Sequence, residues 1–183
     1  MQLTLVRHPQ PEVAQGLCYG STDLAVTPEQ LARALAALSA SLAADATIYS
    51  SPLRRCRDLA AALAIQRGAA APLIDPRLSE MDFGAWEMQS WDAIPRGQID
   101  AWAADLADYR PGGGETLLEM AARVSAFYAD VQRQQRDTIV ICHAGTMRLL
   151  AACHTGLPLR ETALRAAQQP HAIAYGGTLI LDL

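Results

Sequence analysis

Short apolar runs that stop on ionisable residues alternate along this chain with longer stretches whose apolar positions recur three or four apart. Leu3-Thr4-Leu5-Val6 stops on Arg7-His8-Pro9, and Thr138-Ile139-Val140-Ile141-Cys142 stops on His143-Ala144-Gly145. Runs of this kind read as strands buried on both faces, as in a parallel sheet. Thr47-Ile48-Tyr49-Ser50 reads as another strand and Pro72-Leu73-Ile74 as a weaker one. Two closing strands are expected near residues 171–174 and 178–181, flanking the Gly176-Gly177 turn.

Helical spacing fills the intervals. Thr27 as N-cap and Pro28 at the first helical position open a helix that Leu31, Leu35, Leu38 and Leu42 carry to about residue 44. Ser51-Pro52 opens a second, which Gly68 ends; Glu115-Thr116 leads into a third, through Val131. A fourth is expected from Thr146 to about Thr155, and a Pro158-led helix follows. Strands alternating with helices predict an α/β fold, a three-layer αβα sandwich with a mostly parallel central sheet. Residues 86–110 hold all 3 Trp and an irregular helical pattern, and read as a helical insertion beside the main layer. The 183 residues suit a single domain, 1–183, that carries it.

Composition narrows the function classes. Net charge is −4, all 15 basic residues are Arg, and no tract is strongly basic, so nucleic-acid binding lacks its electrostatic footprint. No stretch approaches the ~18 consecutive apolar residues of a membrane helix, and the N-terminus lacks a signal-peptide layout. Cys18, Cys56, Cys142 and Cys153 form no CxxC pair, which fits a reduced compartment. His154 and His171 belong to no ligand-spaced cluster. A soluble cytoplasmic protein with no metal, cofactor, nucleic-acid or membrane partner is expected; the oligomeric state stays open.

The candidate chemistry lies at the strand ends. In open α/β sheets, ligands sit outside the carboxyl ends of the strands. His8 and His143 each follow such an end and can face one another across one crevice; the plainer reading, one capping and one loop histidine, weighs equally on the strands alone. The strand ending at Ser50 delivers Ser51-Pro52-Leu53-Arg54-Arg55 to the same edge, and Arg is a planar bidentate donor suited to phosphate oxygens. Glu80 lies amid Leu78, Met81, Phe83 and Trp86, either a general acid in apolar surroundings or a surface acid beside a packed Trp. Cys142 beside His143 invites a thiol nucleophile, but alternation along a strand points it to the opposite face, as a core residue.

Taken together, Arg7-His8, Ser51-Pro52-Leu53-x-Arg55, Leu78-x-Glu80 and His143-Ala144-Gly145 resemble, in order and over essentially the whole chain, the histidine phosphatase superfamily of phosphoglycerate-mutase-like enzymes. Glu80-Met81-x-Phe83-Gly84-x-Trp86-Glu87 is most similar to the alpha-ribazole phosphatase branch. The resemblance implies a phosphoglycerate-mutase-like fold and a small-molecule phosphomonoester substrate, alpha-ribazole 5′-phosphate of cobalamin biosynthesis being the specific candidate. It implies that His8 is the nucleophile that becomes phosphorylated, that Arg7, Arg55 and His143 hold the phosphoryl group, and that Glu80 protonates the leaving oxygen. Family spacing selects Arg55 over Arg54 and Arg57, and makes Glu115, in Gly113-Gly114-Glu115-Thr116, a recurrent motif residue of structural character. Three positions depart from the family pattern: Pro9 replaces the Gly after the nucleophilic His, Ala14 replaces a phosphate-binding Asn for which Gln10 or Gln15 can substitute, and Leu59 replaces a Thr.

The implied chemistry needs positioning and charge neutralisation. Arg7, Arg55 and a protonated His143 offset the phosphomonoester charge, and these cations favour a neutral, attacking His8 whose other ring nitrogen donates to a backbone carbonyl. Competing readings are a broad-specificity phosphatase, a phosphoglycerate-type mutase with the same core, and a non-catalytic phosphate-binding module. For an aromatic substrate base, Trp86, Phe83, Trp91 or Trp102 are the candidate stacking wall, against the alternative that they only pack the insertion.

Overall fold

The computed structural model describes residues 1–38, 42–43, 45–170 and 173–183. Its sheet has five strands: β1 (Gln2–Arg7), β2 (Thr47–Ser50), β3 (Leu73–Ile74), β4 (Thr138–Cys142) and β5 (Thr178–Asp182). Their spatial order is β3-β2-β4-β1-β5. All neighbours run parallel except β5, which is antiparallel to β1. The helices are α1 (Pro28–Leu38), α2 (Arg54–Arg67), α3 (Arg96–Ala104), α4 (Leu117–Gln134), α5 (Ala144–Cys153) and α6 (Leu159–Gln168).

Period-2 alternation assigns each strand side chain to a layer. Val6, Ile48, Ile139 and Ile141 pack with Leu38, Leu59 and Leu63 of α1 and α2. Leu3, Leu5, Val140 and Cys142 face the other way, onto Met120, Val124 and Phe127 of α4 and Met147 and Leu150 of α5. Burying each such Leu, Ile or Phe is worth roughly 1.5–3 kcal/mol, so the central strands are held mainly by their two apolar faces. Leu59, at 0% exposure, is one of these core side chains and makes the family departure a packing change.

Several boundaries move. α2 starts at Arg54 rather than at Ser51, because Ser51 N–H is spent on the Ile141 carbonyl at 3.0 Å, extending the β2–β4 pairing. Asp23 Oδ1 then accepts from Arg54 N–H at 2.6 Å and serves the helix start from a remote loop. α4 runs past Val131 to Gln134, opened by a capping box between Thr116 and Glu119. The first predicted helix is described only to Leu38; Leu42 and Ala43 are not helical, and residues 39–41 and 44 lie outside the described residues. Residues 171–172 of the expected strand before Gly176 also lie outside them, and Ile173 and Ala174 join no strand.

Residues 84–104 form short 3-10 turns (Gly84–Trp86, Trp91–Ala93) and α3, around a small core of Cys18, Trp86 and Ile94. Gly112, at φ +59°, packs so closely on this segment that a Cβ there would lie 2.2 Å from the Phe83 carbonyl oxygen. That approach lets the Gly-rich turn at Pro111–Gly113 lock the turn carrying Trp86 against the start of α4.

Candidate active site

Strand register builds the site. Arg7 pairs with Cys142 and Ser50 with Ile141, so His8, Ser51 and His143 leave the sheet together at its carboxyl edge. His8 is buried, and its Nδ1 lies 2.7 Å from the Pro9 carbonyl oxygen. A carbonyl only accepts, so Nδ1 carries the proton and Nε2 keeps the lone pair. Burial first, then the charges of Arg55 and Arg7, hold His8 down to about 3 from 6.5, and the ring is neutral. The group used at position 9 is its carbonyl, which Pro retains.

Arg55, on the first turn of α2, is fully buried, whereas Arg54 and Arg57 are exposed. It donates through Nε to His143 Nδ1 at 3.3 Å, and through Nη1 and Nη2 to the Thr22 and Gly20 carbonyls at 2.6 Å each. One N–H remains on each terminal nitrogen. Those carbonyls belong to a loop anchored on Glu87, which accepts from Ser21 N–H and Oγ at 2.8 Å each, from Phe83 N–H at 3.0 Å, and from Thr22 Oγ1. Burial opposes the Glu87 charge, but donation from Thr22, Phe83 and Ser21 outweighs it and holds the carboxyl below the usual range. Glu87 of the Trp86-Glu87 motif therefore acts on the site through the loop that grips Arg55.

His143 lies between a guanidinium and a hydroxyl. Its Nδ1 accepts from Arg55, leaving Nε2–H to donate to Ser51 Oγ at 2.8 Å. Burial, then Arg55 and His8, lower its pKa well below 6.5, so in this structure it is neutral rather than an imidazolium. Its ring centroid is 5.0 Å from that of His8, but it sits behind Arg55 at 0% exposure and is not part of the cleft wall. Arg7 lies over the Tyr175 ring at 3.9 Å and donates to the Ile173 carbonyl. Its Nε is buried with no hydrogen-bond partner among the described residues. Tyr175 also packs 5.6 Å from the His8 ring, and its hydroxyl meets that of Tyr19 at 2.8 Å.

Glu80 reaches the same cleft from the irregular segment after Leu78. Its carboxylate accepts from Gly145 N–H at 3.0 Å and Met81 N–H at 3.1 Å. A Cβ at Gly145 would lie 2.3 Å from Glu80 Oε1, so a larger residue there would push the carboxylate out of this position. The cleft, about 430 Å³, has Arg7, His8, Arg55 and Glu80 at one end. Leu17, Phe83, Trp91, Trp102 and Leu106 supply an apolar flank, and Arg148 adds a guanidinium.

The family model for histidine phosphatase superfamily (branch 1) matches residues 3–174. The chain belongs to that superfamily. An adenosylcobalamin/alpha-ribazole phosphatase of Escherichia coli is 28% identical over 166 residues, covering 86% of this chain and 81% of the relative. The crystal structure of an alpha-ribazole phosphatase from Shigella flexneri superposes with a TM-score of 0.80 at 27% identity, covering 100% of this chain and 91% of the other. A mycobacterial glucosyl-3-phosphoglycerate phosphatase gives a TM-score of 0.80 at 26% identity, with 99% and 92% covered. As a histidine phosphatase the chain is a phosphoric monoester hydrolase with the phosphoglycerate-mutase-like fold. No described helix is long and apolar enough to cross a membrane.

Other sequence-derived candidates separate cleanly in this histidine phosphatase. Phe83, Trp91 and Trp102 line the cleft, whereas Trp86 is 2% exposed and ties its Nε1–H to Gln98 at 2.7 Å. Ala14, Gln10 and Gln15 are all exposed and none belongs to the cleft wall. Cys142 is fully buried on the face opposite Ile141, and burial raises its thiol pKa well above the ordinary value. Tyr19 and Tyr175 escaped the sequence reading because their partners lie far off in the chain, and Ser51 entered it only as a strand-end and motif residue, with no role of its own.

Proposed function

We propose that residues 1–183 form one histidine phosphatase domain that hydrolyses a phosphomonoester through a phosphohistidine on His8. The observation that carries this is the state of His8: neutral, with Nδ1–H on the Pro9 carbonyl and Nε2 free, beside two buried guanidiniums. Arg7 Nε, a buried donor without a partner among the described residues, and the two spare N–H groups of Arg55 support an anion next to that nitrogen.

In the first step Nε2 attacks phosphorus, the P–O bond to the alcohol breaks, and Glu80 delivers a proton to the departing oxygen. Glu80, now a carboxylate, takes a proton from a water that attacks the phosphohistidine, releasing inorganic phosphate and restoring neutral His8. His143 holds Arg55 through its Nδ1 lone pair, so the neutral imidazole is the form that positions the guanidinium.

For the alcohol, the apolar flank of Leu17, Phe83, Trp91 and Trp102 supports a flat aromatic group. Alpha-ribazole 5′-phosphate, a ribose 5′-phosphate bearing a benzimidazole base, is the substrate we assign on that flank and on the alpha-ribazole phosphatase relatives. The test is a turnover panel reading phosphate release. Alpha-ribazole 5′-phosphate is expected to show the highest kcat/KM, above 3-phosphoglycerate and small sugar phosphates. Equal values across the panel would reduce the assignment to a broad-specificity phosphatase, and isomerisation of 3-phosphoglycerate without phosphate release would replace it by a mutase.

A further inference from the structure

Residues 79–83, around Glu80, belong to no helix or strand, so no ladder of backbone bonds fixes them. Carbonyls of this segment and of Arg77 before it are instead met from α4 and from Glu115, two residues ahead of that helix. Arg123 Nη1 donates to the Arg77 and Ser79 carbonyls at 2.8 and 2.7 Å, and Nη2 to the Glu80 carbonyl at 3.3 Å. The remaining donors, Nε and the second N–H of Nη2, hold Glu115 Oε1 at 2.7 Å and Oε2 at 2.8 Å. All five N–H groups of the guanidinium are thereby used. The backbone N–H of Glu115 donates in turn to the Asp82 carbonyl at 2.8 Å, on the far side of Glu80.

Neither Arg123 nor Glu115 lines the substrate cleft. Both border a second recess, of about 400 Å³, on the other side of the Glu80 segment. The pair is partly buried, with side-chain exposures of 21% and 17%, so the clamp is shielded from the screening that weakens exposed ion pairs.

We infer that Arg123, oriented by Glu115, is a positioning residue for the proton-donating carboxyl of Glu80. This rests on the acid role given to Glu80 above. The clamp fixes the main chain before and after residue 80, and Gly145 and Met81 N–H fix the carboxylate itself. A proton donor must meet the leaving oxygen within hydrogen-bond reach, so slack in the segment costs proton transfer and leaves attack by His8 untouched.

The test compares two esters of similar size and different leaving groups, benzyl phosphate and 4-nitrophenyl phosphate. Benzyl alcoholate needs a proton as it departs, whereas nitrophenolate does not. In Arg123→Met, kcat/KM on benzyl phosphate, which reports the steps up to alcohol release and not the later dephosphorylation, is expected to fall about 100-fold while kcat/KM on 4-nitrophenyl phosphate stays within about threefold. Arg123→Lys, which keeps the charge but not the five-donor fork, recovers part of the loss. Glu115→Gln shifts the ratio the same way by a smaller factor and decides the matter if Arg123→Met does not fold. In a Glu80→Gln background, Arg123→Met adds nothing further to the ratio, because the group it positions is already gone.

An equal fall on both esters, an unchanged ratio, or full additivity with Glu80→Gln overturns the positioning role. A wild-type protein that hydrolyses neither ester overturns the reading of the site beneath it, and so the two failures are told apart.

Discussion

The two ends of the cleft are built differently. At one end Arg7, His8 and Arg55 are almost fully buried, and main-chain carbonyls meet each of them: Ile173 for Arg7, Pro9 for His8, Gly20 and Thr22 for Arg55. At the other end Phe83, Trp91 and Trp102 are partly exposed, sit on or beside short turns and α3, and touch one another and buried Trp86, in edge contacts and one parallel pair, Trp91–Trp102, 6.2 Å apart. The first end is pre-organised by strand register and costs little reorganisation when a dianion enters. The second is a packing surface in which Trp91 and Trp102 belong to the inserted segment, while Phe83 also packs on the main core. On this account the chemistry resides in the sheet edge and the choice of alcohol in the insertion.

The largest expected effects fall at the buried end. Arg55→Ala should lower kcat/KM by about 100- to 1,000-fold on every phosphomonoester, and exposed Arg54→Ala by less than about twofold. Steady-state kinetics on both variants checks this, and the reverse order would place the wrong arginine in the pocket. Glu80→Gln comes next, with a loss of about 100-fold on alkyl esters and a much smaller one on 4-nitrophenyl phosphate. Equal losses on the two classes would argue against proton donation.

At the apolar end, Trp102→Ala should lower kcat/KM for alpha-ribazole 5′-phosphate by about 10-fold and leave small sugar phosphates unchanged. A uniform loss would mean that Trp102 serves packing alone and would blur the contrast between the two ends.

Acid should weaken the fold through the buried end. His8 has its pKa lowered to about 3 from 6.5, so between those values the unfolded chain binds a proton that the folded chain refuses. Stability therefore rises with pH through this window and declines as pH falls below 6.5, and His143 contributes in the same direction. Denaturation midpoints followed against pH should show that slope, flattened in part in His8→Asn; an identical slope in that variant would contradict it. The smallest effect is that of a chelator. Guanidinium groups carry the charge neutralisation, so kcat measured with excess chelator should be unchanged, and a loss restored by one divalent ion would require another mechanism.

The same contrast governs what was legible in the sequence. β1 and β4 announce themselves as apolar runs ending on Arg7-His8 and His143, because strands buried on both faces leave no polar alternation. Strand ends pointed to Arg7 and His8, the resemblance to the family selected Arg55 and Glu80, and all four meet in the cleft. What stayed hidden depends on contacts distant in sequence: Tyr19 with Tyr175, 156 positions apart, and Arg123 with the Ser79 carbonyl, 44 apart. Strand-end position likewise does not reveal that a guanidinium meets Nδ1 of His143. Among the four aromatic candidates, composition could not separate buried Trp86 from the three that face the cleft.

The central claim is that neutral His8 takes the phosphoryl group on Nε2. Rapid quench of wild-type protein with a phosphomonoester, followed by alkaline digestion and mass spectrometry, tests it directly. An acid-labile phosphoryl group on the peptide carrying His8, formed at the rate of alcohol release and absent in His8→Ala along with turnover, is the predicted result. Turnover by His8→Ala, or a phosphoryl group trapped on any other residue, would contradict the account.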